Sequence, residues 1–292
     1  MKAKFREFFE KHRHLIVISL ILAVILAALT PLVVPLGLGL DKIINIPPRL
    51  RPSQYREVSV WCMQHEEGKC SACYTERDLE ELCTTLDRAR GKRDDCSGFA
   101  RELCSFTFDS KIPTTGATYR LITDEGQYKL TTTKNRETFT WQISEQDARQ
   151  ILRYCWCAED PVPNNPRRVF TDPEQLSSVS LRVYQSGELQ TQLSLTRAQI
   201  EALCTELEAI LQTTATKSLQ KTLNALPSYG TVNRWQFTRQ DGAVWQLQYT
   251  DVSPLLRFCC LSEPQPNGYY DQYWLDVGED VDLTALNAIL DG

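Results

Sequence analysis

Two stretches decide the fold: VSVWCMQHEEGKCSACYTERDLEELCTTLDR, from Val58 to Arg88, and VSLRVYQSGELQTQLSLTRAQIEALCTELEA, from Val179 to Ala209. They align without a gap at a shift of 121 residues, and Val58, Ser59, Gln64, Glu67, Thr75, Glu80, Leu82, Cys83, Thr84 and Leu86 meet identical residues. Identity at this density marks an internal repeat. Both copies also carry the same helix-start chemistry. Thr75 with Asp78, and Thr196 with Gln199, stand three apart, so the threonine oxygen accepts from the third helical amide while the longer side chain reaches back. Tyr74 with Leu79 and Leu195 with Ile200 supply a hydrophobic staple. Beyond the caps, Leu79, Leu82, Cys83 and Leu86, and likewise Ile200, Leu203, Cys204 and Leu207, fall on one helical stripe.

Upstream of the second helix, Val179, Leu181 and Val183 alternate with polar residues, Ser186-Gly187 forms a turn, and Leu189, Leu193 and Leu195 alternate again, which predicts a β-hairpin with one buried face. Downstream, the first copy is read as a short helix over Cys96 to Cys104, strands at Tyr119–Thr123, Gln127–Thr133 and Thr138–Ile143, and a closing helix from Glu145 to Tyr154. The second copy places Leu219, Leu223 and Leu226 on a helix, then strands at Arg234–Arg239, Val244–Tyr249, Leu255–Leu261 and Tyr269–Val277, and a closing helix over Leu283–Leu290. The fold class expected is therefore α+β: a duplicated unit of β-hairpin, helix, antiparallel meander and closing helix, occupying residues 57–158 and 174–292. Pro161, Pro163, Pro166 and Pro173 mark the seam. Trp235 and Phe237 share one strand face, as do Trp245, Leu247 and Tyr249, which reads as sheet core. Tyr270 and Trp274 fall on one side of their strand as an alternative platform for a sugar or a partner.

Residues 15–40 form an uncharged, mostly apolar run, longer than the ~20 residues needed to cross a bilayer as a helix. It continues past the length of a signal-peptide core, which favours an uncleaved signal-anchor. Residues 1–14 carry Lys2, Lys4, Arg6, Lys11 and Arg13 against Glu7 and Glu10, a basic tail expected to stay in the cytoplasm. The Pro-rich residues 41–56 form a spacer, and the main body is placed outside the cell membrane. The whole chain carries −5. With +3 assigned to the tail, the body is more acidic still, which excludes nucleic acid as a natural partner.

Eleven cysteines lie beyond the apolar run, an odd number that leaves one unpaired or committed to another chain. The densest set, Cys62, His65, Cys70 and Cys73, offers three sulfurs and one imidazole, the residue types of a tetrahedral zinc site. The competing reading is a hairpin carrying thiols or disulfides, because the matching positions of the second copy are Val183, Ser186, Thr191 and Ser194. Cys70-Ser71-Ala72-Cys73 has redox-pair spacing but lacks a surrounding parallel βαβ pattern. Cys83 and Cys204 are read as small core hydrophobes. The acidic run Asp276, Glu279, Asp280, Asp282 lacks the order of a calcium loop and is read as helix capping. No nucleophile elbow, zincin helix or phosphate-binding glycine loop occurs. The function expected is a single-pass membrane-anchored extracytoplasmic binding or interaction module, with membrane lipid around residues 15–40 and a protein or cell-envelope partner. The alternatives are a zinc- or thiol-dependent extracytoplasmic enzyme centred on Cys62 to Cys73, or a structural subunit of a membrane complex.

Overall fold

The computed structural model describes residues 49–63, 69–96, 100–111, 116–134, 136–156, 158–213, 219–222, 230–264, 268–278 and 281–291. The expected membrane span at 15–40, the tail before it and the first half of the spacer, 41–48, lie outside the described residues. Among the described residues, no helix is long and apolar enough to cross a membrane. The fold is α+β with two antiparallel sheets. In chain order its elements are β1 (Tyr55–Cys62), β2 (Cys70–Ser71), α1 (Glu76–Arg88), β3 (Lys92–Asp94), β4 (Arg101–Ser110), β5 (Ala117–Asp124), β6 (Gln127–Lys134), β7 (Glu137–Gln142) and α2 (Glu145–Leu152). A short linker helix, α3 (Pro166–Thr171), leads to β8 (Leu176–Gln185), β9 (Glu188–Ser194), α4 (Arg197–Thr213), β10 (Leu219–Thr222), β11 (Thr231–Arg239), β12 (Val244–Thr250), β13 (Ser253–Cys260), β14 (Gln272–Asp276) and α5 (Ala285–Ala288).

The first sheet has the order β2-β1-β4-β5-β6-β7-β3, and the second, read from its β9 edge, has β9-β8-β11-β12-β13-β14-β10. Each strand of one sheet has the neighbours that its counterpart, taken in chain order, has in the other. Helix starts coincide as well, since α1 and α4 begin at Glu76 and Arg197, 121 residues apart. Both starts are capped as expected. Thr75 Oγ1 accepts from the Asp78 amide at 3.1 Å while Asp78 Oδ2 accepts from the Thr75 amide at 3.0 Å. Gln199 Oε1 accepts from the Thr196 amide at 3.0 Å, and the Gln199 amide donates back to Thr196 Oγ1 at 3.4 Å. The returning hairpin strands differ by two positions, because Ser59 faces Ser71 whereas Ser180 faces Ser194. A shift of two preserves which side chains point inward.

Helices cover one side of each sheet. Val58, Val60, Phe106, Phe108, Tyr119, Leu121 and Leu130 of the first sheet are buried together with Leu82, Cys83 and Leu86 of α1 and Ile151 of α2. In the second sheet Val179, Leu181, Trp235, Phe237, Trp245, Leu247 and Phe258 are buried with Leu203, Cys204 and Leu207 of α4. Phe170 of α3 meets Phe237 and Phe258 edge-on at 4.8 and 5.9 Å between ring centroids. The halves share this core, with Tyr74 5.3 Å from Tyr273 and the Tyr273 hydroxyl donating to the Cys73 carbonyl at 3.1 Å.

Where two helices are expected, the described residues include strands instead. Over Cys96 to Cys104 the chain enters β4 at Arg101, and a register shift between Glu102 and Cys104 turns both Leu103 and Cys104 inward. Adjacent apolar residues at such a bulge imitate the stripe of a helix. At Leu219 the backbone of β10 pairs with β14, placing Leu219 opposite Leu275, so tertiary pairing overrides local preference; Leu223 and Leu226 lie outside the described residues. The turns Glu125-Gly126 and Ser186-Gly187 place both residues at positive φ, the conformation that lets a two-residue loop follow the strand twist. Edge strand β9 is exposed along its whole length, and between Val183 opposite Thr191 and Tyr184 opposite Leu189 it holds Gln190 as an extra residue.

A polar relay ties the halves at the linker. Asn164 Nδ2 donates to Asp78 Oδ1 at 3.0 Å and to Thr75 Oγ1 at 3.2 Å. Its Oδ1 accepts from Arg239 Nη1 at 3.0 Å, and the same Arg239 nitrogen donates to the Pro163 carbonyl at 3.1 Å. Burial pushes the Asp78 carboxyl above its ordinary pKa, against the pull of the bonds from Tyr74, Asn164 and Thr75. Asn164→Ala is expected to cost about 1–3 kcal/mol, the range for a buried group left unpaired, as a lower urea midpoint at unchanged slope; an unchanged midpoint would refute the relay's role.

At the other edge of the first sheet, Lys129 Nζ lies 3.0 Å from Asp94 Oδ2 and 2.9 Å from the buried Asp124 Oδ2, which pins edge strand β3. The Lys129 ammonium holds the Asp94 carboxyl below its ordinary pKa. The stability this adds is complete above the ordinary carboxylate value of ~4 and disappears as pH falls through the lowered one. Asp94→Asn is therefore expected to melt below the parent at pH 7 and together with it near pH 2; a gap that persists in acid would contradict the ionic origin.

Candidate functional site

Antiparallel register lines up one continuous row of side chains on the face of the second sheet away from its helices. From the β9 edge, Gln192 faces Arg182, Arg182 faces Arg234, Arg234 faces Gln248, Gln248 faces Arg257, and Arg257 faces Trp274. The next row on that side is Ser194, Ser180, Gln236, Gln246 and Cys259. Neither row contains a carboxylate, although the chain as a whole is acidic. Arg182 and Arg234 are exposed and Arg257 and Trp274 half-buried, while Gln248 between Arg234 and Arg257, and Cys259 in the next row, are buried.

These arginines make no hydrogen bond or ion pair among the described residues. Their contacts are aromatic: the Arg234 guanidinium carbon lies 4.6 Å from the centre of the Tyr184 ring, and that of Arg257 lies 5.8 Å from Trp274. Arg257 Nε and Trp274 Nε1 are buried without a hydrogen-bond partner. Burial lowers the pKa of Arg257, and the neighbouring Arg234 charge lowers it further. Like charges directly opposite each other on adjacent strands oppose folding. Local violations of this kind concentrate where a surface has work to do.

The first sheet supplies an internal control. Following register, the counterparts of Arg182, Arg234, Gln248 and Arg257 are Trp61, Ser105, Arg120 and Thr131. Arg120, the one cation among these four, lies 3.5 Å from Glu102. The same succession of strands thus carries an unpaired arginine array on one sheet and a largely hydroxylic face on the other, where Thr107 and Thr118 hydroxyls meet at 3.5 Å.

Of the four residues expected to bind zinc, Cys62, Cys70 and Cys73 lie among the described residues. Cys62 and Cys70 are buried on β1 and β2, and Cys62 faces Cys104 across β4. The Met63 amide donates to the Leu103 carbonyl at 2.8 Å, so Cys62 and Cys104 form the adjoining non-hydrogen-bonded pair, whose side chains approach most closely. Cys73 is half-buried before the α1 cap; His65 lies outside the described residues, as does Cys157. Among the described residues, no cluster of three or more potential metal ligands occurs. The strands β1, β2 and β4 around Cys70-Ser71-Ala72-Cys73 pair antiparallel, so the motif lacks the parallel βαβ frame of thioredoxin-like chemistry. Burial pushes the Cys83 and Cys204 thiols up to about 12, and the Cys259 thiol up to about 11, which keeps them protonated and unreactive at neutral pH. In the acidic run, Asp276 accepts from the Gly278 amide and Asp282 from the Thr284 amide, both at 2.9 Å, while Glu279 and Asp280 lie outside the described residues.

No family model matches the chain, and neither a curated protein nor a solved structure matches it. Sequence reading placed Trp274 on a platform but missed the arginines, because register brings them together from three strands.

Relief of charge repulsion gives this face a measurable signature. Arg182→Gln removes one of two opposed cations and leaves the Arg234–Tyr184 contact intact, so it is expected to stabilise the fold by about 0.2–1 kcal/mol. Added salt should narrow the difference from the parent. A variant less stable than the parent in thermal unfolding would show that Arg182 is held by attractive contacts instead.

Proposed function

We propose that this protein is a single-pass, membrane-anchored extracytoplasmic binding module, built from a duplicated α+β unit, whose recognition surface is the outer face of the second sheet. The carrying observation is the row of Arg182, Arg234 and Arg257 with no counter-charge among the described residues. A guanidinium supplies a planar fork of donors suited to an oxyanion, and a ligand seated there would relieve the repulsion that folding leaves in place. Anchoring is supported by the apolar length of residues 15–40 and the basic residues before it. Duplication is supported by the shared strand succession, the coincident helix starts and the residue identities.

Two measurements test the parts separately. Protease added to intact cells expressing the full chain is expected to digest the body and leave a tag at the N-terminus protected; a protected body would overturn the orientation. Full-length protein extracted from native membranes is expected to retain a co-purifying ligand that the Arg182→Glu, Arg234→Glu double variant loses; equal retention by both would overturn the assignment of the surface.

A further inference from the structure

Resting on that reading of the surface, we infer that the ligand is a linear acidic polysaccharide whose carboxylates pair with Arg182, Arg234 and Arg257 as it lies across the strands. The row runs perpendicular to the strands through the middle of the sheet. Neighbouring strands are ~4.8 Å apart, so Arg182 to Arg234 is one step, Arg234 to Arg257 is two, and Gln192 to Trp274 covers ~24 Å. A pyranose ring has a length comparable to one such step, and a carboxylate recurring every one or two rings would meet the guanidinium forks in turn.

The remaining chemistry matches hydroxyl-bearing rings. The exposed Gln192 at the end of the row and the half-buried Gln236 and Gln246 of the next row bring amides that both donate and accept. Trp274 extends the row with an indole whose apolar ring suits the C–H face of a sugar. An acidic peptide fits less well. Peptides bind sheets through main-chain bonds at an edge, whereas interior strands β8, β11, β12 and β13 each have two strand neighbours and so commit both sides of their backbone to pairing. Single-stranded nucleic acid needs successive stacking rings in a basic groove, while this row holds one aromatic residue in a chain of charge −5.

Calorimetric titration of the full-length protein in detergent with oligosaccharides of polygalacturonate, alginate and hyaluronate, and with methyl-esterified polygalacturonate, tests the inference. At least one acidic glycan is expected to bind, to weaken as sodium chloride rises, and to lose binding when esterified. Arg234→Gln should weaken it about tenfold or more, as expected for one charge-assisted hydrogen-bonding group. Arg182→Gln should do the same while unfolding no earlier than the parent, which separates lost recognition from lost structure. Failure of all three glycans to bind, equal binding of the ester, or tighter binding of polyglutamate or single-stranded DNA would overturn the glycan assignment. Those results leave the surface itself to the co-purification experiment, so the two failures are distinguishable.

Discussion

Antiparallel pairing sends alternate side chains of each strand to opposite sides of a sheet, and the rest of this structure depends on that rule. One side must be covered by the apolar stripes of α1 or α4, which fixes Val58, Val60, Phe106 and Phe108 in the first half and Val179, Leu181, Trp235 and Phe237 in the second. Once those residues are committed inward, every residue between them is committed outward. The inward side is conserved in character between the halves because each must bury a helix. The outward side carries no such obligation, and there the halves diverge into hydroxyl groups on one sheet and guanidinium and amide groups on the other.

The devices legible in the sequence were local. Capping residues three apart, turn residues with their glycines, and alternation over five or more residues all operate within one turn or one strand, and they located α1, α4, β5, β6, β11 and β12 closely. Where one bulge disturbed alternation, at Leu103 and Cys104, the pattern imitated a helix. The arginine row was not legible, because Arg182, Arg234 and Arg257 come from separate strands and only the register sums in space make them neighbours. The zinc expectation rests on residue types at short spacing, and one of its four residues, His65, lies outside the described residues. Two of the sulfurs it invoked, Cys62 and Cys70, are core residues on separate strands.

The join between the halves reuses a local device for a long-range purpose. Asp78 serves as the return partner of a helix cap, and the same carboxylate accepts from Asn164, which in turn holds Arg239 at the end of β11. A helix start in the first half and a strand end in the second are thereby fixed by one half-buried amide. Shared aromatic packing of Tyr74 on Tyr273 and Phe258 adds apolar contact to that polar link, so the arginine-bearing sheet is set in place by both halves.

The extra residue at Gln190 has an outcome for the molecule among its own kind. A fully exposed strand with leucines at 189 and 193 would offer a straight ladder of amides and carbonyls to any extended chain that drifted alongside. Interrupting that ladder near its centre leaves only short runs for a stranger to match, so many copies can crowd together without zipping into fibrils.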